Sequence, residues 1–159
     1  MADPTSIVNV NWSLYDGRTD ALITTSEALV PGGYVGIDTT AGTMEFCADS
    51  ADITPCGIVV GNTRGLNTLL TGDGASRAVS RGGIVLKEVA VTGASAITDV
   101  GDLVYASDGQ TLTKTASNMN PFGRIVKWYS STTCDVYVFT YEEAETQKLL
   151  AAAYAAATA

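Results

Sequence analysis

The chain contains no histidine. The side chain that most often serves as general base, triad partner or zinc ligand at neutral pH is therefore missing. Charge is scarce too: only 16% of the 159 residues are Asp, Glu, Lys or Arg, and the formal net charge is −8. A surface this poor in bases does not suit a phosphate backbone, which excludes nucleic acid as the main partner. Cysteine is limited to Cys47, Cys56 and Cys134, an odd number with no CxxC spacing. With no signal peptide ahead of them, the three read as reduced small hydrophobes made in a cytosol. No run approaches the ~20 apolar residues that span a bilayer, so no membrane segment is expected.

Catalytic signatures are absent in the same way. Gly72-Asp73-Gly74 lacks the Lys-Ser/Thr that completes a phosphate loop. Asp49-Ser-Ala-Asp52 lacks the alternating ligands and distal Glu of a calcium loop. Acid pairs that could act on a glycoside arise by chance in a Gly-rich acidic chain. The expectation is a protein that is not an enzyme and carries no cofactor or metal.

What is present is apolar and β-leaning. Apolar residues make up 46% of the chain, which has 16 glycines among many Thr, Ser and Ala. Disorder needs low hydrophobicity and high charge, so this composition specifies an ordered domain. A single domain of this length buries roughly 70% of its unfolded surface and needs no disulfide or metal to hold a core. The charges are segregated: Asp20, Glu27, Asp38, Glu45, Asp49 and Asp52 lie between Arg18 and Arg64 with no base among them. Arg64, Arg77, Arg81 and Lys87 follow, against Asp73 alone. Such separation suits either two solvated faces or a subunit that meets itself or a charged neighbour.

Three regions follow from the pattern: a strand or arm over 1–14, a β-rich body over 15–141 and a helix over 142–157. Ile7–Leu14 alternates, with Val8, Val10, Trp12 and Leu14 on one side. That strand either completes the chain's own sheet or adds to a neighbour's edge. Within the body, 100–126 reads as turn (Gly101-Asp102), strand (Leu103–Ala106), turn (Asp108-Gly109, with Gly taking positive φ), strand around Leu112, then Pro121-Phe122-Gly123 launching another strand. The same order of parts occurs over 31–60: Pro31–Asp38, Ala41–Met44 and Pro55–Val59. Aligned at Tyr34 and Leu103, the two runs suggest an internal duplication. Gly57–Val60 predicts a short strand closed by a turn at Gly61-Asn62. Val79–Val91 predicts strand broken at Gly82-Gly83, and Arg124–Tyr129 and Cys134–Tyr141 predict two final strands. Thr140-Tyr-Glu-Glu143 is a capping box, and Leu149, Leu150, Ala153 and Tyr154 form an apolar stripe at helical spacing. A helix of this length is marginal alone in water, so it must dock on its own body or on another subunit.

Gly101-Asp102-Leu103-Val104, Asp108-Gly109 and Pro121-Phe122-Gly123, with Val79-Ser-Arg-Gly-Gly-Ile-Val-Leu, resemble the small β-rich capsid decoration (cement) proteins of tailed bacteriophages. The resemblance covers roughly 31–141. It implies a mainly β fold, a compact β barrel or β-tulip-like body, often trimeric, on the outer capsid surface of a virion assembled in a bacterial host. The implied partners are the major capsid protein and the chain itself, with no catalytic residues. The expected interface residues are Val8, Val10, Trp12, Leu14, Leu149, Leu150 and Tyr154. Two other roles fit the same composition: a carbohydrate- or surface-binding β module of a head or tail fibre, and a self-assembling tail-tube-type subunit.

Overall fold

A computed structural model describes residues 12–14, 21–24, 28–62 and 77–159. The turn cluster at 71–74, Val8 and Val10 lie outside them. Among the described residues, eleven strands and one long helix follow in chain order: β1 (Trp12–Leu14), β2 (Ala21–Thr24), β3 (Tyr34–Asp38), β4 (Thr43–Phe46), β5 (Ile53–Asn62), β6 (Arg77–Arg81), β7 (Ile84–Thr92), β8 (Leu103–Ala106), β9 (Leu112–Thr113), β10 (Gly123–Ser130), β11 (Thr133–Val138) and α1 (Tyr141–Thr158). The fold is mainly β, as the composition required.

Two sheets share the work. In the first, the order is β2-β6-β5-β3-β4, all antiparallel, forming a half-barrel. In the second, the order β7-β11-β10-β8-β9 closes on itself, because β9 also pairs in parallel with the far end of β7. β1 lies on the same edge of β7, with Trp12 opposite Leu86 and Leu14 opposite Ile84. The described part of the N-terminal strand thus completes a sheet of its own chain.

The two sheets use their strands in the same chain order, β2 to β6 in one and β7 to β11 in the other. Their registers agree residue by residue. Tyr34 faces Ile58 and Val35 faces Gly57, as Leu103 faces Arg124 and Val104 faces Gly123. The Gly32 amide donates to Val59 O at 2.8 Å, and the Gly101 amide donates to Ile125 O at 2.8 Å. The returning bonds, Val59 N to Gly33 O and Ile125 N to Asp102 O, are both 3.0 Å. Next outward, Arg81 lies opposite Ile58 as Tyr137 lies opposite Arg124.

Gly57 and Gly123 are required at matching places. A Cβ on Gly57 would overlap the Arg81 carbonyl, and one on Gly123 would overlap the Tyr137 carbonyl. Gly57 also sits at φ 115°, which an L side chain rarely tolerates. Backbone crowds backbone here, so neither neighbour can move aside like a flexible side chain.

Each sheet has its own apolar interior. Leu29, Val30, Val35, Met44, Phe46, Cys56 and Val59 fill the half-barrel. Ile84, Leu86, Val91, Val104, Leu112, Phe122, Ile125, Cys134, Val136 and Val138 fill the closed barrel. Tyr34, Cys47 and Ile58 of the half-barrel join that second cluster, so the two sheets are fused through a shared core. The Tyr34 and Phe122 rings pack at a tilt with centroids 5.0 Å apart. Polar ties run along the seam: Tyr34 N donates to Gly109 O, Ser117 Oγ and Asn118 N donate to Asp49, and Asn120 Nδ2 donates to Ala51 O and Ile53 O.

Several local expectations need correction. Gly57–Val60 is the middle of a ten-residue strand that runs on through Gly61-Asn62; it passes through Pro55 where β3 alone pairs with it, since β6 joins β5 only from Ile58 onward. Gly109 does not take positive φ; Asp108 Oδ1 accepts from Gln110 N at 2.9 Å and makes the turn, while buried Gly109 supplies the carbonyl for Tyr34. The final strand stops at Val138 rather than Tyr141, because Thr140 leaves the ladder to cap α1. The break at Gly82-Gly83 is the junction between the two sheets, with Gly83 at φ 69°.

Substituting Gly123 with Ala forces a methyl into the Tyr137 carbonyl. Urea unfolding should show a loss of about 2–3 kcal/mol, at the upper end for overpacking. A change below about 0.5 kcal/mol would show that the β10–β11 approach is looser than described.

Candidate functional site

α1 starts where the sequence placed it. Glu143 N donates to Thr140 Oγ1, and Thr140 N donates back to Glu143 Oε1, both at 3.2 Å. Tyr137 Oη donates to the same Glu143 oxygen at 2.7 Å, tying the first turn to β11. Glu142 and Glu143 in that turn complement the positive end of the helix. Ala144 is fully buried and Tyr141 packs against the half-barrel core, so the first two turns are docked on the body.

The second half of the helix is different. Every residue from 149 to 159 is exposed and none is charged. Leu149, Leu150 and Tyr154 are 66%, 58% and 73% exposed. The reading in which this stripe packs on the chain's own body fails, because only the first turns reach the sheet. From 149 to 158 the helix extends about 15 Å at 1.5 Å per residue. A cleft of about 290 Å³ lies beside its root, lined by Phe139, Glu142, Glu143, Thr146 and Gln147.

A second apolar surface lies on the closed barrel. Ile97 and Val100, flanking a short 3₁₀ turn, and Val126 on β10 are exposed. Arg124 and Lys127 border Val126 along the strand; Arg124 donates to Gly101 O, and Lys127 sits 4.4 Å from the Tyr129 ring centre. Sequence reading missed this patch: Val126 looks like any strand residue, and only burial identifies its face as outward.

The ionisable groups act as fasteners. Lys114 Nζ lies 2.6 Å from Asp99 and 2.7 Å from Asp102. Lys114, followed by the Ser95 and Ala96 amides, holds Asp99 down at about 2. Asp135 is buried opposite a bulge in β7, where Glu88 sits at φ 53° and donates its amide to Oδ1 at 2.9 Å. Burial pushes that carboxyl up, but the Glu88 amide, Tyr129 hydroxyl and Lys87 outweigh it and keep it below the usual range. Cys47, Cys56 and Cys134 are buried and form no disulfide, and burial raises the Cys134 thiol. Among the described residues no cluster of acids or thiols could hold a metal ion, and no helix is long and apolar enough to cross a membrane.

No protein family and no curated protein matches the chain. One solved structure similar to it is described as "The capsid of Myoviridae Phage XM1". The likeness has a TM-score of 0.43 at 18% identity and covers 86% of this chain and 93% of that one.

Of the expected interface residues, Leu149, Leu150 and Tyr154 share the free end of α1. Trp12 and Leu14 lie on a strand paired to β7, well separated in sequence from that helix. Tyr34, at the seam, was not among them. Burial, then Asp108 and Cys47, push its phenol to about 12. An unfolded tyrosine titrates near 10, so the folded state holds this proton more tightly. Its stabilising effect is fully present below pH 10 and is lost as pH rises from 10 to 12. The loss is roughly 2–3 kcal/mol at 1.36 kcal/mol per pH unit. Urea unfolding at pH 8 and pH 11.5 should show a smaller drop for Tyr34→Phe than for the natural chain; equal drops would remove Tyr34 as the alkaline-sensitive group.

Proposed function

We propose that this chain is a structural protein of a tailed-phage particle that binds the outer surface of the capsid and stabilises the shell. Its partners in this reading are the major capsid protein and further copies of itself, as a homotrimer. The observation that supports it best is the outer half of α1: an uncharged helix end presenting Leu149, Leu150 and Tyr154 to solvent. The family resemblance of the β body points the same way.

The capping box and the docked first turns have already ordered the helix, so binding does not pay for nucleating it. Burying three such side chains is worth roughly 5–9 kcal/mol before the cost of association. Small alanines around them let a partner surface approach closely. A protein that binds only the intact shell stabilises it by RT ln(1 + [L]/Kd), repeated at every site. Val8, Val10, Trp12 and Leu14 form the second contact in this reading.

Undecorated heads saturated with the purified protein should melt at a higher temperature than bare heads. Equal melting temperatures would reject the role. Leu150→Asp should leave the free protein's stability within about 0.5 kcal/mol, because the site is exposed. The same variant should bind heads at least tenfold more weakly, and unchanged affinity would remove the helix from the contact. A chain lacking residues 1–11 reads the second contact in the same assay, through reduced affinity of a folded truncate.

A further inference from the structure

We propose that the face of the closed barrel carrying Ile97, Val100 and Val126 binds the half-barrel of a second copy, repeating between chains the contact that joins the two sheets within one chain. This rests on the self-association part of the role above and needs no shell.

The shared register relates the two sheets position by position, as two copies of one unit. Structural correspondence can then be read across them. On the half-barrel, the outer side of β3 and β5 is covered by the closed barrel: Tyr34 and Ile58 are buried there, and Val60 is partly buried against the same cluster. Tyr34, Ile58 and Val60 correspond to Leu103, Arg124 and Val126. Buried Pro31, preceding β3, corresponds to Val100. The surface that the first unit uses to hold the second is therefore displayed again by the second unit, where Val100, Val126 and the adjacent Ile97 are exposed.

The complementary half of the contact is displayed as well. Within the chain, the closed barrel meets Tyr34 through the tip of the β8–β9 hairpin, where Asp108 and Gly109 are buried. The corresponding tip on the half-barrel, between β3 and β4, is Thr39–Gly42, and all four residues are exposed. Each chain thus carries one used and one unused copy of both halves. Charge favours their meeting: the stretch around the free tip holds Asp38, Glu45, Asp49 and Asp52 with no base, whereas Arg124 and Lys127 flank Val126. A contact of this head-to-tail kind closes into a ring or continues as a filament, according to its rotation. Three chains would place six β units around one axis.

The test is native mass spectrometry with size-exclusion chromatography on the full-length protein. The expected result is a discrete ring, reduced to monomer by Val126→Asp with an unchanged circular dichroism spectrum. A monomeric natural chain at all concentrations would overturn the proposal, as would a ring that survives both Val126→Asp and Ile97→Asp. Because Val126→Asp could harm folding, single variants Val126→Cys and Ala41→Cys are mixed under oxidising conditions. The expected product is a disulfide-linked heterodimer at least tenfold enriched over a control pair such as Lys148→Cys with Ala41→Cys; no enrichment overturns the proposal. A chain truncated after Lys148 keeps the ring if β10 makes the contact; its dissociation while Val126→Asp stays assembled would assign association to α1 and overturn the proposal. Shell binding by a monomeric Val126→Asp variant separates this surface from capsid attachment.

Discussion

Backbone carbonyls passing where a side chain cannot be are the constraint on which both sheets depend. Arg81 O over Gly57 and Tyr137 O over Gly123 bring the next strand in close enough for β5 and β10 to be held on both edges. From that anchor the pairing with β3 and β8 follows, and with it the inward direction of Val35, Val59, Val104 and Ile125. A side chain at either glycine would push the neighbouring strand away and loosen the packing of the interior residues beneath it. The two interiors then meet through Tyr34, Cys47 and Ile58, so the seam is part of a core and not a contact between finished bodies.

Much of this was legible in residues. Leu103–Ala106 and Tyr34–Asp38 are short, mostly apolar runs beside glycine turns, and the capping box at Thr140 is a local signal with a local cause. The alignment of Tyr34 with Leu103 came from turn and proline order alone, and the strands fall into corresponding registers. Other features depend on contacts distant in sequence. Pro55 reads as the start of a strand, and only the pairing shows that the strand begins before it, along an edge that β6 does not reach. Closure of the second sheet rests on a parallel pairing of Leu112 and Thr113 with Val91 and Thr92, which no hairpin turn announces. The stripe on α1 reads as a buried face, yet the helix outruns the body that could bury it; only the position of the sheet beneath Ala144 reveals that.

The division of labour follows from these placements. Titratable groups such as Asp99, Lys114 and Asp135 fasten turns and a bulge. The surfaces left over are apolar and uncharged at the helix end, and apolar with a basic border on β10. In the proposed role the helix end is ordered before contact, so adhesion through it costs little ordering, and the β10 face meets a counterpart like the one within the same chain.

A cryo-electron microscopy reconstruction of heads saturated with the protein, resolved well enough to trace helices, tests this account most directly. It should place the outer turns of α1, with Leu149, Leu150 and Tyr154, against the shell. Density for the β body alone on the shell, with those turns pointing into solvent, would contradict it.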